Sequence, residues 1–417
     1  MKANLKVIMM GGRRCGKTSA LASMFHQMIN SKELMSLLSV CDQTKLETKV
    51  DDNGGKELQE SLNKKTLELM GFFRMSKNSE FLIDKGPTRN YWHYHMQIAL
   101  PGTKKTMIME FRDAAGEFFD FGVQDEKEGM HANETEEYVE DCDVFVVAVD
   151  TPYLMNENED VRAAANIPGD IHSFIAKIDE KNKDKKEMKA KCVLFVPIKC
   201  EKWLHEGNIS KVVEAVKEEY RATISNLEQR DNTEVAIIPI ETAGDIEFSE
   251  MRDAYIVTNE NGVKIKDNNG RPKTKQKIKC SMITKKTVLL EDGSLYSLKE
   301  GDIIQEDPNS FFTIGRGKTA VLTTPRPVSW FKFPETKQSG YTPSYKPKNC
   351  EQVCLHILRF LLSKARNEQN KSGFIQWLKK TFGSITIADL NNTIVELTNR
   401  ELIKDNVEGI TRLKKYF

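Results

Sequence analysis

The chain has 417 residues, of which 39% are hydrophobic and 29% are charged, with 62 basic residues against 61 acidic ones. This length is too great for one compact core, so we expect two or three domains, and the composition excludes an intrinsically disordered chain. A net charge of +1 gives no global attraction to polyanions, and no apolar run reaches the ~20 residues of a membrane span.

The eight cysteines are spread along the chain without the spacing of a disulfide framework or a zinc site. Several of them fall in apolar segments that we expect to form buried strands. The first predicted strand begins almost at Met1, so we expect no signal peptide. These features predict a cytoplasmic protein whose thiols are reduced.

The most informative motif follows the first predicted strand, Leu5–Met10. Residues Gly11–Thr18 match the pattern G-x-x-x-x-G-K-[ST], and an apolar-periodic run from Ala20 to Met28 predicts a helix directly after it. Strand, glycine loop and helix is the context in which this motif forms a phosphate site. Backbone N–H groups of such a loop suit a polyphosphate, Lys17 adds charge toward the β- and γ-phosphates, and the Thr18 hydroxyl suits Mg²⁺.

A polar, lysine-rich stretch lies between that helix and the next predicted strands, at about residues 31–85. Its leucines at positions 58, 62, 67 and 69 have helical spacing. The stretch is much longer than an ordinary connection. We therefore predict a helical insertion, which is a candidate surface for a protein partner.

Two further strands, Asn90–Leu100 and Thr106–Arg112, are predicted to form an antiparallel hairpin. The hairpin ends in Asp113-Ala114-Ala115-Gly116-Glu117. An acidic residue at the end of a strand beside a phosphate loop can hold Mg²⁺ through water, and a glycine three residues later lets its N–H approach the γ-phosphate. We therefore place this motif at the same site as the glycine loop.

Three continuously apolar segments follow, as expected for strands that are buried on both faces: Val144–Asp150, Cys192–Ile198 and Val235–Ile240. Helical patterns separate them, at about residues 161–178 and 209–229. This alternation predicts an α/β fold with a mostly parallel, doubly wound sheet that binds its ligand at the carboxyl ends of the strands.

The order of phosphate loop, hairpin, D-x-x-G motif, apolar strand, base-reading strand and small-residue loop resembles a Ras-like P-loop GTPase domain of the TRAFAC class. The segments Pro197–Glu201 and Glu241–Gly244, together with the long insertions, are similar to those of bacterial double-GTPase-type proteins of conflict systems. The resemblance covers about residues 1–250. It implies GTP or GDP and Mg²⁺ as ligands, GTP hydrolysis as the activity, and a setting in bacterial defence.

The resemblance also implies a role for each matching residue. The phosphates would be bound by Gly11, Gly12, Arg14, Cys15, Gly16, Lys17, Thr18, Ser19 and Gly116. Mg²⁺ would be bound by Thr18, by Asp113 through water, and by Thr88, which precedes the hairpin where the first switch threonine belongs. The purine would be contacted by Lys199, Glu201, Thr242 and Ala243. The catalytic residues would be Lys17, Glu117 and Arg13.

Three departures from the family pattern bear on these roles. The tetrad Ile198-Lys199-Cys200-Glu201 replaces N-K-x-D, so a longer carboxylate remains while the amide contacts of the Asn are lost. Glu117 stands where Gln commonly orients the attacking water, and its negative charge beside the γ-phosphate predicts slow hydrolysis. Arg13 and Arg14 stand where small residues are usual. An arginine finger, and side chains that face solvent or a partner, both stay open as interpretations.

The rest of the chain is predicted to form additional modules. Short strands such as Thr287–Leu290 and Leu295–Leu298, joined by an Asp-Gly turn, predict an inserted β subdomain over residues 254–345. The G domain would span residues 1–253 and be closed by a helix within residues 346–372. A second helix runs through Ile387 and Leu397, and a short hairpin is expected from Leu402-Ile403 through a turn at Gly409 to Leu413. Together they predict a winged-helix-like module over residues 373–417.

Residues 346–417 contain 13 Lys and Arg against 7 Asp and Glu, which is compatible with nucleic acid, but winged helices also dock proteins and we favour docking. We therefore expect a GTP-binding switch with slow, Mg²⁺-dependent hydrolysis that acts through protein partners and not at a membrane. Two alternatives stay open: a P-loop protein that binds or hydrolyses ATP, and a module that binds nucleotide without turnover.

Overall fold

The computed structural model describes residues 4–12, 15–43, 48–50, 56–58, 61–75, 80–81, 92–100, 106–113, 142–182, 191–254, 257–258, 282–284, 287–289, 295–297, 311–313, 319–322, 326–333, 344–367 and 386–416. The chain divides into two compact units. The first comprises Met1–Lys77, Thr88–Glu247 and Phe333–Phe417, and the second comprises Asn78–Pro87 and Phe248–Lys332.

The helices, in chain order, are α1 Lys17–Asn30, α2 Lys32–Met35, α3 Leu62–Met75, α4 Thr151–Leu154, α5 Glu159–Asn166, α6 Pro168–Asn182, α7 Glu201–His205, α8 Ile209–Glu219, α9 Arg221–Glu228, α10 Cys350–Asn367 and α11 Ile387–Asn399. In the part of the chain that is described, none of them is long and apolar enough to cross a bilayer.

The strands, in chain order, are β1 Asn4–Met10, β2 Ser39–Asp42, β3 Thr48–Val50, β4 Lys56–Leu58, β5 Glu80–Phe81, β6 Trp92–Ala99, β7 Thr106–Asp113, β8 Val144–Asp150, β9 Lys191–Ile198, β10 Thr233–Ile237, β11 Glu247–Ala254, β12 Val257–Thr258, β13 Met282–Thr284, β14 Thr287–Leu289, β15 Leu295–Ser297, β16 Phe311–Thr313, β17 Thr319–Leu322, β18 Arg326–Lys332 and β19 Thr411–Lys414.

The first unit is built on an eight-stranded sheet in the order β19-β10-β9-β8-β1-β7-β6-β2. Strands β10, β9, β8, β1 and β7 are mutually parallel, whereas β6, β2 and β19 run antiparallel to their neighbours. Every residue of β8, β9 and β10 is buried, which is why these segments read as continuous apolar runs. The predicted mostly parallel α/β sheet and the β6–β7 hairpin are confirmed.

The two predicted helical stretches between these strands are each broken in the structure. The first is divided into α5 and α6 at Ile167, whose φ is 44° and whose successor is Pro168. Proline disfavours the helical conformation of the residue before it, so the break follows from local sterics. The second stretch is divided into α8 and α9 at Tyr220.

The stretch at residues 31–85 is not wholly helical as predicted. It contains α3, but it also contains β2, which extends the central sheet by pairing with β6, and the β3–β4 hairpin. On α3, Leu62 and Leu69 are buried, whereas Leu67 is 66% exposed. The predicted helix is therefore confirmed at positions 62, 67 and 69, whereas Leu58 lies in β4. The pairing of β2 with β6 depends on contacts that are distant in sequence.

The C-terminal residues of the first unit contribute to the central sheet. Helix α10 packs against α1 and α11. Strand β19 pairs antiparallel with β10, and residues 402–403 form no strand, so the predicted short hairpin up to residue 413 is wrong. The strand finds its partner in the exposed edge of β10 instead of in a neighbouring segment. A winged-helix-like module as an independent domain stays a prediction.

The second unit contains small sheets in the orders β11-β18-β5, β12-β17-β16 and β13-β14-β15. The predicted hairpin at residues 287–298 is confirmed as β14 and β15, with Thr287 opposite Ser297. The predicted domain boundaries, including that of the inserted β subdomain, stay predictions.

Candidate functional site

The glycine loop lies between the end of β1 and the start of α1, and two of its glycines meet specific steric demands. Gly16 caps α1 with a φ of 108°, a left-handed conformation that side chains disfavour, and a Cβ there would lie 3.2 Å from Ile198 Cδ1. A Cβ on Gly12 would overlap the carbonyl oxygen of Ala165. The loop is thus pressed against the ends of β9 and α5, and only glycine allows this approach.

The Lys17 side chain lies at the centre of this loop and is 6% exposed. Its Nζ donates to the carbonyl oxygens of Gly11 and Gly12, each at 3.0 Å, and lies 4.0 Å from Cys15 Sγ. Burial raises the pKa of the Cys15 thiol, and the nearby ammonium only partly opposes this. Among its described residues, the loop therefore presents the buried Lys17 ammonium beside a neutral thiol.

A buried carboxylate lies beside the first turn of α1. Asp113 is the last residue of β7 and lies opposite Met9 of β1, so the parallel register places it next to the loop. Thr18 Oγ1 donates to Asp113 Oδ2, whereas Oδ1 is buried and accepts no hydrogen bond from any residue that the structure describes. Burial raises the pKa of Asp113, and the charge of Lys17 and the Thr18 hydroxyl oppose the rise.

These oxygen donors are of the kind that Mg²⁺ prefers, and an unsatisfied buried carboxylate oxygen fits a cation. Within the described part of the chain, no group of three or more His, Cys, Asp or Glu residues could hold a metal ion. An ion at Thr18 and Asp113 would therefore need further oxygens from outside this pair, such as those of phosphate or water.

The next two strands along the sheet end in an ion pair. Lys199, which follows β9, has a φ of 60°, and its Nζ lies 2.6 Å from Oδ2 of Asp150, the last residue of β8. Its Cε lies 3.6 Å from the position of a Cβ on Gly16, so its stem runs beside the glycine loop. Asn166 is fully buried and its Oδ1 accepts the Asp150 backbone N–H at 2.8 Å.

Sequence reasoning did not single out Asp150 or Asn166. A signal existed for Asp150, because it ends a buried strand next to the glycine loop as Asp113 does. No local pattern indicated Asn166, whose role depends on where the break after α5 places it.

Glu201 is the first residue of α7 and is 1% exposed. Its Oε1 accepts the Ala243 N–H at 2.8 Å, whereas Oε2 is buried and has no hydrogen-bond donor among the described residues. Burial raises the pKa of Glu201 to about 7, although its own backbone N–H and those of Ala243 and Gly244 oppose the rise. When ionised, this carboxylate therefore has an open acceptor.

The loop after β10 is joined to the segment that holds Lys199. Thr242 Oγ1 accepts the Lys199 N–H at 3.0 Å, and Ala243 binds Glu201 as described. Ile198, which stands where the GTPase pattern has a polar residue, is fully buried and offers no polar contact. The two segments are thus hydrogen-bonded to each other at the carboxyl end of the sheet.

The structure brings together most of the predicted site residues in three groups: Gly11, Gly12, Cys15, Gly16 and Lys17 in the loop, Thr18 with Asp113, and Lys199 and Glu201 with Thr242 and Ala243. Ser19 lies within α1, where its carbonyl oxygen accepts from the Ser23 hydroxyl at 2.8 Å. The predicted residues Arg13, Arg14, Thr88, Gly116 and Glu117 lie outside the described residues.

No protein-family model matches the chain, and no curated protein matches it. Among solved structures, the chain is similar to the S. cerevisiae Ski7 GTPase-like domain bound to GTP, with 13% sequence identity. The match covers 83% of this chain and 74% of that chain, at a TM-score of 0.30. A likeness this weak carries no argument, so the function has to be inferred from the residues and geometry of the site.

Proposed function

We propose that this protein binds GTP together with Mg²⁺ at the carboxyl end of the central sheet, hydrolyses it slowly and acts through protein partners. One observation carries the proposal: two buried carboxylate oxygens, Asp113 Oδ1 and Glu201 Oε2, lack a hydrogen-bond donor among the described residues. Asp113 ends β7, which pairs with β1 just before the glycine loop, and Glu201 closely follows β9, whose last residue lies beside Gly16. Buried polar groups left unsatisfied are costly, so a ligand that satisfies both is favoured.

The phosphate end of the ligand would lie against the glycine loop. Backbone N–H groups at the start of α1 attract anions, and the Lys17 ammonium would exchange its contacts with the Gly11 and Gly12 carbonyl oxygens for phosphate oxygens. Thr18 and Asp113 would hold Mg²⁺ there, and the ion would neutralise charge on the phosphate oxygens. The Asp113 oxygen would gain the partner that it lacks within the described chain.

The base end would lie against Glu201 and Lys199. Guanine presents two adjacent donors, N1–H and the N2 amino group, and an ionised carboxylate is purely an acceptor. Adenine instead presents the lone pair of N1 at the equivalent place, which the carboxylate would repel. The Lys199 stem, beside Gly16, would offer an apolar surface to the face of either purine. The preference for guanine would come from the Glu201 carboxylate.

Slow hydrolysis and docking of partners are the parts of the proposal that rest on the sequence. Glu117 would place a second negative charge close to the γ-phosphate, which disfavours attack by water there. The insertion at residues 31–85 and the C-terminal residues would provide surfaces for protein partners, in a bacterial defence setting.

Titration calorimetry of the purified protein with GTP and with ATP, with and without Mg²⁺, tests the binding. We expect GTP to bind more tightly than ATP, Mg²⁺ to strengthen GTP binding, and Lys17→Ala to abolish it. Lys211→Ala, which alters an exposed lysine of α8, should bind as the wild type does. Clear preference for ATP would overturn the guanine assignment, and unchanged binding by Lys17→Ala would overturn the site itself.

Single-turnover hydrolysis of GTP tests the activity. We expect measurable but slow release of phosphate by the wild type, and faster release by Glu117→Gln, because the amide can orient water without adding charge. If the wild type binds GTP and releases no phosphate, the protein is a nucleotide-binding module and not a GTPase.

A further inference from the structure

Three buried hydroxyl and carbonyl groups meet behind the base side of the site. Ser23 lies in the middle of α1, Thr242 lies in the loop after β10, and Tyr345 precedes α10. Ser23 Oγ lies 2.6 Å from the Tyr345 hydroxyl oxygen and 2.7 Å from the Thr242 carbonyl oxygen. All three residues are less than 9% exposed. The phosphate-binding helix is therefore hydrogen-bonded to the base loop and to a segment about 100 residues further along the chain.

The direction of these hydrogen bonds follows from counting protons. A carbonyl oxygen only accepts, so when the single Ser23 hydroxyl proton is donated to the carbonyl oxygen of Thr242 or of Ser19, Ser23 Oγ is left as an acceptor. The Tyr345 hydroxyl must then donate to Ser23 Oγ. Burial raises the pKa of Tyr345, which keeps its proton in place. In this arrangement Tyr345 donates to Ser23, and Ser23 donates to the carbonyl oxygen of Thr242 in the loop or of Ser19 in α1.

Tyr345 belongs to a short segment that runs alongside the base loop, and we call Ser344–Lys348 the bracing segment. It forms antiparallel bridges at Glu241 with Lys348 and at Gly244 with Tyr345, and the Lys346 N–H donates to the Ala243 carbonyl oxygen at 2.8 Å. A Cβ on Gly244 would overlap the backbone of Lys346, so the two segments are in close contact. The base loop is therefore held from outside along its length.

The loop that Ser23 and the bracing segment hold also positions both base-facing residues. Thr242 Oγ1 accepts the backbone N–H of Lys199, and the Ala243 N–H donates to Glu201. A shift of the Thr242 carbonyl group would move the hydroxyl of the same residue and hence Lys199. None of these contacts involves the glycine loop at residues 11–12 or 15–16.

We infer that Ser23 and Tyr345 are positioning residues for base recognition, which hold the loop at residues 241–244 so that Lys199 and Glu201 face the purine. This inference rests on the proposed function, since it requires a purine nucleotide at the site. It assigns a role in nucleotide selectivity to a segment that lies about 100 residues beyond the base loop.

The test compares GTP with inorganic tripolyphosphate, which has the phosphate chain without the base. Both are measured in Mg²⁺ as competitors of a fluorescent GTP analogue, for wild type, Ser23→Ala and Tyr345→Phe. Ser23→Ala should weaken GTP binding about tenfold, because it removes the hydrogen-bond partner of both the Tyr345 hydroxyl and the Thr242 carbonyl oxygen. Tyr345→Phe should weaken it about threefold, because Ser23 still reaches the loop. Tripolyphosphate binding should not change.

Two control variants remove the same atoms elsewhere: Ser225→Ala on the exposed face of α9, and Tyr416→Phe, where the tyrosine ring packs on Phe360. Both should bind GTP as the wild type does. Unchanged GTP binding by Ser23→Ala and Tyr345→Phe would overturn the inference while leaving the proposed function standing. Equal losses for GTP and tripolyphosphate would also overturn it, because the hydroxyl groups would then support α1 in general. Failure of the wild type to bind GTP at all would refute the proposed function first.

Discussion

Replacing Glu201 with Gln tests whether the buried carboxyl group at the start of α7 costs free energy when it ionises. The side chain is 1% exposed, and burial raises its pKa to about 7 from an ordinary value of 4.5. At about 1.4 kcal/mol for each tenfold change in a proton equilibrium, this rise corresponds to about 3 kcal/mol. That is a large share of the stability of an ordinary domain.

The sign of the effect follows from proton linkage. A carboxyl group whose pKa is raised on folding binds its proton more tightly in the folded state, so its contribution to stability is complete below pH 4.5 and is lost as the pH rises through 7. Gln cannot ionise, and its carbonyl oxygen can still accept the Ala243 N–H. The free energy of unfolding of Glu201→Gln relative to the wild type should therefore increase by about 2 to 3 kcal/mol between about pH 5 and pH 8.

Urea unfolding without nucleotide, followed by tryptophan fluorescence across this pH range, measures the difference. Glu228→Gln, at an exposed position of α9, is the matched control and should follow the wild type at every pH. If Glu201→Gln and the wild type show parallel pH profiles, the carboxyl group is not held in the buried environment described here. The same change should weaken GTP binding, because an amide group offers one acceptor fewer to guanine.

Two further substitutions test buried contacts that support the sheet and the site. Lys364→Met removes the cation that lies 3.0 Å from the Asp143 carboxylate, and it should lower the free energy of unfolding by about 3 to 5 kcal/mol in urea titrations. Adding Asp143→Asn should recover part of this loss. If the double variant recovers nothing, the two side chains do not form a direct ion pair. Asn166→Ala leaves the buried Asp150 N–H without its acceptor and should lower the free energy of unfolding by about 1 to 3 kcal/mol in the same assay. The control Asn392→Ala, at an exposed position, should change the free energy of unfolding little. Equal effects of the two variants would contradict the role given to the buried hydrogen bond.

Local patterns were sufficient to predict the elements that carry the site. The strand, loop and helix around residues 5–28 needed only an apolar run, two glycines and helical spacing, and all three occur in the structure. The β6–β7 hairpin followed from period-two alternation on both sides of a turn. Asp113 could be placed beside the loop because a parallel sheet brings strand ends together. In each case the decisive interactions involve neighbours in sequence or the general geometry of a sheet.

The features that sequence reasoning missed depend on contacts between distant segments. The pair of Lys199 with Asp150 requires β8 and β9 to be adjacent, and the contact of Ser23 with Tyr345 joins residues 322 positions apart. Neither leaves a local pattern. The division of the helix at Ile167 is different, because Pro168 was visible in the sequence and its effect on the preceding residue could have been applied.

The placement of β19 has a consequence for biosynthesis. Its residue Arg412 lies 3.1 Å from the fully buried Glu234 of β10, and β19 covers one edge of the central sheet. During translation β10 emerges long before β19, so a growing chain first carries an open strand edge and a carboxylate without its two arginine neighbours, Arg359 and Arg412. The β10 edge can therefore be covered only after residues 411–414 have left the ribosome, and until then it is where chaperones or unwanted strands would bind.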